Sequence, residues 1–245
     1  EKHITPDFDV HCNGDQPKDA ELAKRFNAHG IGLVRTEHMF FAADRILKFR
    51  TMIIAGNKAD REKALAELKK FQVKDFYDLL KIMDGLPVTI RLLDAPLHEF
   101  LPHTRDSMDE FIKYFRKQYP KVSETEIRAR CDLLKEFNPM LGHRGIRVAI
   151  SYPEIYNMQV EAIFEAAYKL KSEKKDPKPE IMIPLIMSAN EMKTIRNGKR
   201  IEGKSIIGIK EIEEKVKKKY KGGSVDYKVG TMIELPAAAL NADNI

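Results

Sequence analysis

Cysteine is almost absent: of 245 residues only Cys12 and Cys131 carry thiols. They lie far apart and outside any CxxC or Cys/His ligand spacing, which excludes a structural zinc site and a disulfide framework. A reducing, intracellular setting is the simpler account. Long apolar runs are missing as well. No stretch reaches the roughly 18 to 20 uninterrupted apolar residues that cross a bilayer, and Glu1-Lys2-His3 opens no signal-peptide pattern. The chain therefore reads as soluble, and its start without methionine reads as a cut from something longer. A one-signed charge excess is lacking too, because 43 Lys and Arg stand against 37 Asp and Glu. The net +6 is concentrated in runs such as 169–178 and 215–221. Such runs are solvated faces before they are nucleic-acid or membrane surfaces.

What is present is a 43% apolar composition, enough for one substantial core at the length of a single (β/α)8 barrel. Apolar, β-rich runs alternate with helical periodicity, the order of βα units around a parallel sheet. Five strands are expected: a weak one at 8–12, then 32–34, 88–93, 181–187 and 229–233. Ala20, Leu22, Ala23 and Phe26 mark a helix that Gly30 closes, and an apolar stripe from Leu65 to Met83 marks a long one. Further helices are expected behind caps at Ser107 and Ser123, the second in a capping-box sequence with Glu126, and from Pro153 onward. The charged 190–226 segment reads as a helix plus a surface excursion, and 236–245 as the beginning of a helix. The expected class is α/β: a TIM barrel broken off after about its fifth strand, one partial domain over residues 1–245 with unpaired edges on both sides.

In a parallel barrel functional side chains collect where strands give way to their C-terminal loops. The second expected strand ends in Arg35-Thr36-Glu37-His38, the third carries Arg91 and finishes at Asp94, and the fifth finishes at Glu234. Arginine forks grip phosphate or carboxylate bidentately, and carboxylate oxygens suit Mg2+. The combination suits a small phosphorylated acid, or an enolate whose charge is met by fixed donors and a Lewis acid. Each residue also has a plain structural reading as part of a rim salt bridge. His38, His98 and His143 stand at no spacing that specifies a triad, and Met232 and the methionines between 182 and 192 fill core.

Four segments carry a family resemblance. They are Gly30-Ile31-Gly32-Leu33-Val34-Arg35-Thr36-Glu37-His38-Met39-Phe40-Phe41, the run from Val88 through Arg91-Leu92-Leu93-Asp94-Ala95-Pro96-Leu97-His98 to Pro102, Asn138-Pro139-Met140-Leu141-Gly142-His143-Arg144-Gly145, and Gly230-Thr231-Met232-Ile233-Glu234-Leu235-Pro236. In this order, from about Val10 to the end, the chain resembles the phosphoenolpyruvate-utilising enzymes. The wording after Arg35 and Arg91 is most similar to the pyruvate phosphate dikinase family, rather than to phosphoenolpyruvate synthase or phosphotransferase-system enzyme I.

The resemblance implies a kinase that interconverts ATP, phosphate and pyruvate with AMP, diphosphate and phosphoenolpyruvate (PEP). A phosphohistidine on another domain of the same polypeptide carries the phosphoryl group in that family, which commonly forms homodimers and occurs in cytoplasm or organelles. It implies that Arg35 and Arg91 bind the phosphoryl group and the enolate side of the substrate, and that Glu234 binds substrate through Mg2+ as its ligand. Asp94 would orient Arg91, and Arg144 would add a third positive charge. The family's GTNDL and CGEH segments do not occur in the sequence, neither cysteine stands in the place of the proton donor, and Ala237 replaces a common arginine. The 245 residues by themselves are expected to be inactive in turnover and to associate through open sheet edges. A non-catalytic binding or dimerisation barrel is the alternative of another class.

Overall fold

The structure is a computed structural model describing residues 8–201, 204–220 and 223–245. Among these residues seven strands run in chain order: β1 (His11–Asn13), β2 (Gly30–Arg35), β3 (Pro87–Arg91), β4 (Lys178–Ile183), β5 (Lys199–Ile201), β6 (Lys204–Ile206) and β7 (Lys228–Thr231). The α-helices are α1 (Pro17–Arg25), α2 (Ala43–Ile53), α3 (Lys58–Ile82), α4 (Arg105–Gln118), α5 (Glu124–Leu133), α6 (Ile146–Ser151), α7 (Pro153–Ser172), α8 (Ala189–Asn197), α9 (Ile209–Lys217) and α10 (Pro236–Leu240). Five strands form one parallel sheet in the order β1-β2-β3-β4-β7, and β5 pairs antiparallel with β6 as a separate hairpin. The α/β expectation and the number of parallel strands stand. The sheet is open, with β1 and β7 at its two edges.

Burial on both sides explains the near-continuous apolar strands. Ile31, Val34, Val88, Ile90, Ile181 and Ile183 are all buried. The helices α3 and α7 pack against each other over this sheet, α2 lies on α3, and α9 lies on α7. The stripe of α3 buries Leu65, Leu68, Phe76, Leu79 and Leu80 at helical spacing. Asn57 caps this helix by accepting the Asp60 N–H. No helix among the described residues is long and apolar enough to cross a membrane.

Several boundaries differ from the sequence reading, each for a local reason. The first strand begins at His11 rather than at residue 8, and Phe8 and Val10 are exposed. Gly30 is not a helix cap. The α1 helix ends at Arg25 with Phe26 as its C-cap, Asn27 takes the left-handed turn at φ 55°, and Gly30 opens β2. Glycine is required there by close approach, since a Cβ would lie 2.8 Å from the Pro87 carbonyl oxygen. The third strand ends at Arg91 and the fifth at Thr231, each two residues sooner than expected.

The fourth strand spans 178–183 rather than 181–187. Pro184 has no N–H for a ladder and Leu185 turns left-handed at φ 60°. Thr104, not Ser107, is the N-cap of α4, and Ser107 answers from the third helical position. Ser123 caps α5, accepting the Glu126 N–H at 3.1 Å. The 190–226 segment holds two helices flanking the β5-β6 hairpin, with residues 202–203 and 221–222 outside the described set.

An aromatic cluster ties the loops after β2 and β3 together. Phe40 stacks on Phe49 of α2 at 4.3 Å, Phe49 meets Phe100 at 4.4 Å, and Phe100 stacks on Phe41 at 4.8 Å. Such pairs contribute about 0.5–1.5 kcal/mol each beyond area burial. The short 3-10 turns Thr36–Phe40 and Leu97–Phe100 are thereby fixed relative to one another.

Candidate functional site

Because the five strands are parallel, everything that follows their last residues lies along one edge of the sheet. Arg35 and Arg91 are register partners across β2 and β3, and Arg91 faces Met182 across β4. Arg91 reaches further, its Nη1 lying 3.7 Å from the Met232 sulfur beyond β7. The rim thus brings together the strand ends that carry Arg35, Arg91, Asp94 and Glu234.

Arg91 is held by two carboxylates. Its Nη2 donates to Glu37 Oε1, and its Nη1 lies 3.0 Å from Asp94 Oδ2. Asp94 is fully buried and serves a second guanidinium: Arg144 Nη2 donates to Asp94 Oδ2 at 2.7 Å and its Nε to Oδ1 at 3.1 Å. This side-on fork is the strong, planar geometry of an arginine–carboxylate pair. Glu37 is only 6% exposed. Its Oε2 and the Arg91 Nε are buried with no hydrogen-bond partner among the described residues.

The supporting layer comes from the next strand and from α7. Thr36 donates its hydroxyl to the Arg91 carbonyl at 2.9 Å. From α7, Gln159 accepts the Leu93 N–H at 2.8 Å and Tyr156 donates to the Leu93 carbonyl at 2.7 Å. Burial raises the Tyr156 pKa well above its usual value, with the Asp94 and Glu37 charges adding to it, so this phenol stays a donor. For Arg144, burial pulls the pKa down. The hydrogen bonds and charge of Asp94, followed by the charges of Glu234 and Glu99, outweigh it and leave the guanidinium above its ordinary value.

Arg35 has a different anchor. Asp15, in the loop after β1, accepts the Arg35 N–H through Oδ1 at 2.6 Å, and its Oδ2 lies 2.7 Å from His38 Nδ1 and 3.9 Å from Arg35 Nη1. One carboxylate therefore fixes both the backbone and the neighbourhood of Arg35 and orients the His38 ring. Asp15→Asn keeps the volume and removes the charge. We expect about tenfold weaker binding of a phosphorylated acid with stability nearly unchanged, the size of one charge-assisted hydrogen bond. A calorimetric titration of the variant checks this, and the wild-type constant is the contrary result.

Glu234 is exposed and directs Oε1 to the Leu185 N–H at 2.9 Å. No hydrogen bond among the described residues engages its Oε2. Among the described residues there is also no group of three or more His, Cys, Asp or Glu side chains able to cage a metal ion. Mg2+ characteristically takes one or two protein carboxylates and completes its shell with substrate oxygens and water. A single hard oxygen donor near the Arg144 guanidinium fits one vertex of such a shell.

His98 Nδ1 and Glu136 Oε2 are 3.9 Å apart, both buried and without a hydrogen bond among the described residues. His143 is half-buried, and desolvation lowers its pKa. Burial raises both thiols, with the charge of Asp132 adding to it at Cys131, which reaches about 11, so neither is an activated nucleophile. A concavity of about 430 Å3 lies along the β1 and α1 edge, lined by Val10, Leu22, Phe26 and His29 among others. None of the rim arginines lines it.

Glu37, Tyr156 and Gln159 support the Arg91 network and Asp15 anchors Arg35, and none of the four is among the expected site residues. Asp15 obeys the strand-end rule once β1 is placed at 11–13. Glu37 lies inside the quoted Arg35 motif. Tyr156 and Gln159 are three residues apart on a helix that follows no strand end, and nothing in their spacing separates them from ordinary core.

A profile described as PEP-utilising enzyme, PEP-binding domain, matches residues 4–245. The chain belongs to this family. It is 56% identical over its whole length to the pyruvate, phosphate dikinase of Treponema pallidum, covering 27% of that protein. It is 46% identical over 96% of its length to the enzyme of the same name from Clostridium symbiosum, covering 25%. The chloroplastic pyruvate, phosphate dikinase 1 of Arabidopsis thaliana is 46% identical over 96% of the chain, which covers 23% of it. This PEP-binding domain thus spans about a quarter of the length of the curated relatives it matches.

Proposed function

We propose that this PEP-binding domain supplies part of the pyruvate/PEP half-reaction of a pyruvate, phosphate dikinase. In that reading the open parallel sheet is one portion of a (β/α)8 barrel, and residues 1–245 form a partial domain of the parent polypeptide. A phosphohistidine on another domain of that polypeptide delivers the phosphoryl group to the enolate of pyruvate. Homodimer formation and a cytoplasmic or organellar setting belong to the same proposal. Phosphoenolpyruvate synthase and phosphotransferase-system enzyme I have less in their favour, because relatives 46% and 56% identical to the chain carry the dikinase name.

The observation that carries the reading is the buried Asp94 shared by Arg91 and Arg144 on the rim where Arg35 and Glu234 also stand. Asp94 acts as a positioning residue, holding two planar forks at fixed angles so that their free N–H groups grip phosphoryl or carboxylate oxygens without reorganisation. Arg35 adds donors from the next strand. Two guanidiniums and two carboxylates cancel in the Arg91, Arg144, Glu37 and Asp94 cluster, so the grip comes from directed donors rather than from net charge. Mg2+ held by Glu234 would act as a Lewis acid toward charge on the substrate oxygens. Phosphoryl transfer is then positioning and charge neutralisation.

The test is titration of PEP with Mg2+ into the full-length polypeptide that carries this chain, alongside Glu234→Gln. We expect saturable binding whose Mg2+ dependence is lost in the variant. Binding that is independent of Mg2+ and identical in the variant sinks the role of Glu234, and no binding at all sinks the whole proposal.

A further inference from the structure

Leu185 holds a backbone conformation that its own side chain disfavours. At φ 60° it sits in the left-handed region, where an L-residue with a Cβ costs about 1–2 kcal/mol. Asn27 and Lys174, the other non-glycine residues with positive φ among the described set, each follow the last cap of a helix, α1 and α7, where such a turn is routine. Leu185 follows a strand and has no such reason. A strained residue persists only where its surroundings over-determine it, and it marks a place where geometry is used.

The surroundings are specific. The Leu185 side chain is buried at 5% exposure. Gly145, itself at φ 56°, lies so close that a Cβ there would be 3.0 Å from the Leu185 Cβ. Ile146 donates its N–H to the Pro184 carbonyl at 3.2 Å. The loop after β4 is therefore clamped by the start of α6, immediately beside Arg144. The hydrogen bond this turn directs is the one from Leu185 N–H to Glu234 Oε1 at 2.9 Å.

We propose that Leu185 is a positioning residue for Glu234: its left-handed turn aims the amide at Oε1, so that Oε2 alone is presented to a divalent cation. The inference rests on the reading of Glu234 as a cation ligand and deepens it. An exposed glutamate with both oxygens free would rotate and lose side-chain entropy on every binding event. With Oε1 held, the carboxylate is set for one-oxygen ligation, which suits the strict octahedral shell of Mg2+. Partners of this kind, which act on a ligand rather than on the ion, typically contribute 10–100-fold in affinity.

The experiment uses Mn2+ as probe, titrated into the full-length polypeptide and followed by the electron paramagnetic resonance of free Mn2+. Leu185→Val adds a β-branch that opposes the left-handed turn, Leu185→Gly favours the turn, and Glu234→Gln removes the charge. We expect roughly tenfold weaker Mn2+ binding for Leu185→Val, approaching Glu234→Gln, and a change of at most about threefold for Leu185→Gly. Equal affinities of Leu185→Val and wild type, with Glu234→Gln clearly weaker, overturn the inference and leave the reading of Glu234 standing. Wild type binding no better than Glu234→Gln removes that reading and the inference with it. Should Leu185→Val fail to fold, hydrogen exchange of a peptide covering Leu185 decides. Loss of its protection in Glu234→Ala supports the proposal, and unchanged protection refutes it.

Discussion

Asp94→Ala is expected to lower the unfolding free energy by about 3–5 kcal/mol, the usual cost of removing one partner from a buried ion pair. Asp94 has no exposed surface and is the common acceptor of Arg91 and Arg144. Without it two guanidiniums remain in a buried network that retains only Glu37. At the size of this chain each kcal/mol corresponds to roughly 2–4 °C, so a fall in Tm of about 10 °C in thermal unfolding followed by circular dichroism is the expected size. Asp94→Asn keeps the shape and part of the hydrogen bonding, and should lie between the two. A variant as stable as the wild type would mean that both arginines find other partners, and the picture of a rigid double fork would fail.

Arg91→Lys is expected to act on binding instead. Lysine offers a compact ammonium, which cannot span Glu37 on one side and Asp94 on the other while presenting a planar edge to an anion. We expect kcat/KM for PEP to fall at least about 100-fold, equivalent to about 2.7 kcal/mol, while the melting temperature moves far less than in Asp94→Ala. Steady-state kinetics on the full-length polypeptide measures this. A loss under fivefold would show that Arg91 serves the rim as a point charge only.

The contrast between these two residues shows what the sequence made legible. Arg91 and Asp94 are found by one rule, that polar residues at the end of a buried parallel strand face the functional edge, and the rule needs only the apolar run before them. Glu234 follows the same logic, with Pro236 as an independent stop. The rule failed where the strand itself was misplaced. The first strand is three residues long, too short for periodicity to register, so its expected end falls before Asn13 and Asp15 escapes the rule. The run 181–187 is apolar throughout and carries no alternation to show where pairing stops. Pro184 marked the end, but the left-handed turn at Leu185 has no signal in a leucine. Gly30 illustrates the opposite error. A glycine after a helix suggests a cap, and only the closeness of Pro87 reveals the steric need of a neighbouring strand. Arg144 shares Asp94 from fifty residues away. The family resemblance names Arg144 as a third positive charge, but its pairing with Asp94 is carried by neither local pattern nor resemblance.

The balance of charges along the rim has a kinetic side. Three guanidiniums, from Arg35, Arg91 and Arg144, stand among four carboxylates, from Asp15, Glu37, Asp94 and Glu234. On the reading proposed above, these seven charges nearly cancel one another, so by themselves they give an anionic substrate little long-range attraction. What would select it is then the short-range fit it meets on arrival. Ionic strength, which governs steered encounters, has little to act upon here.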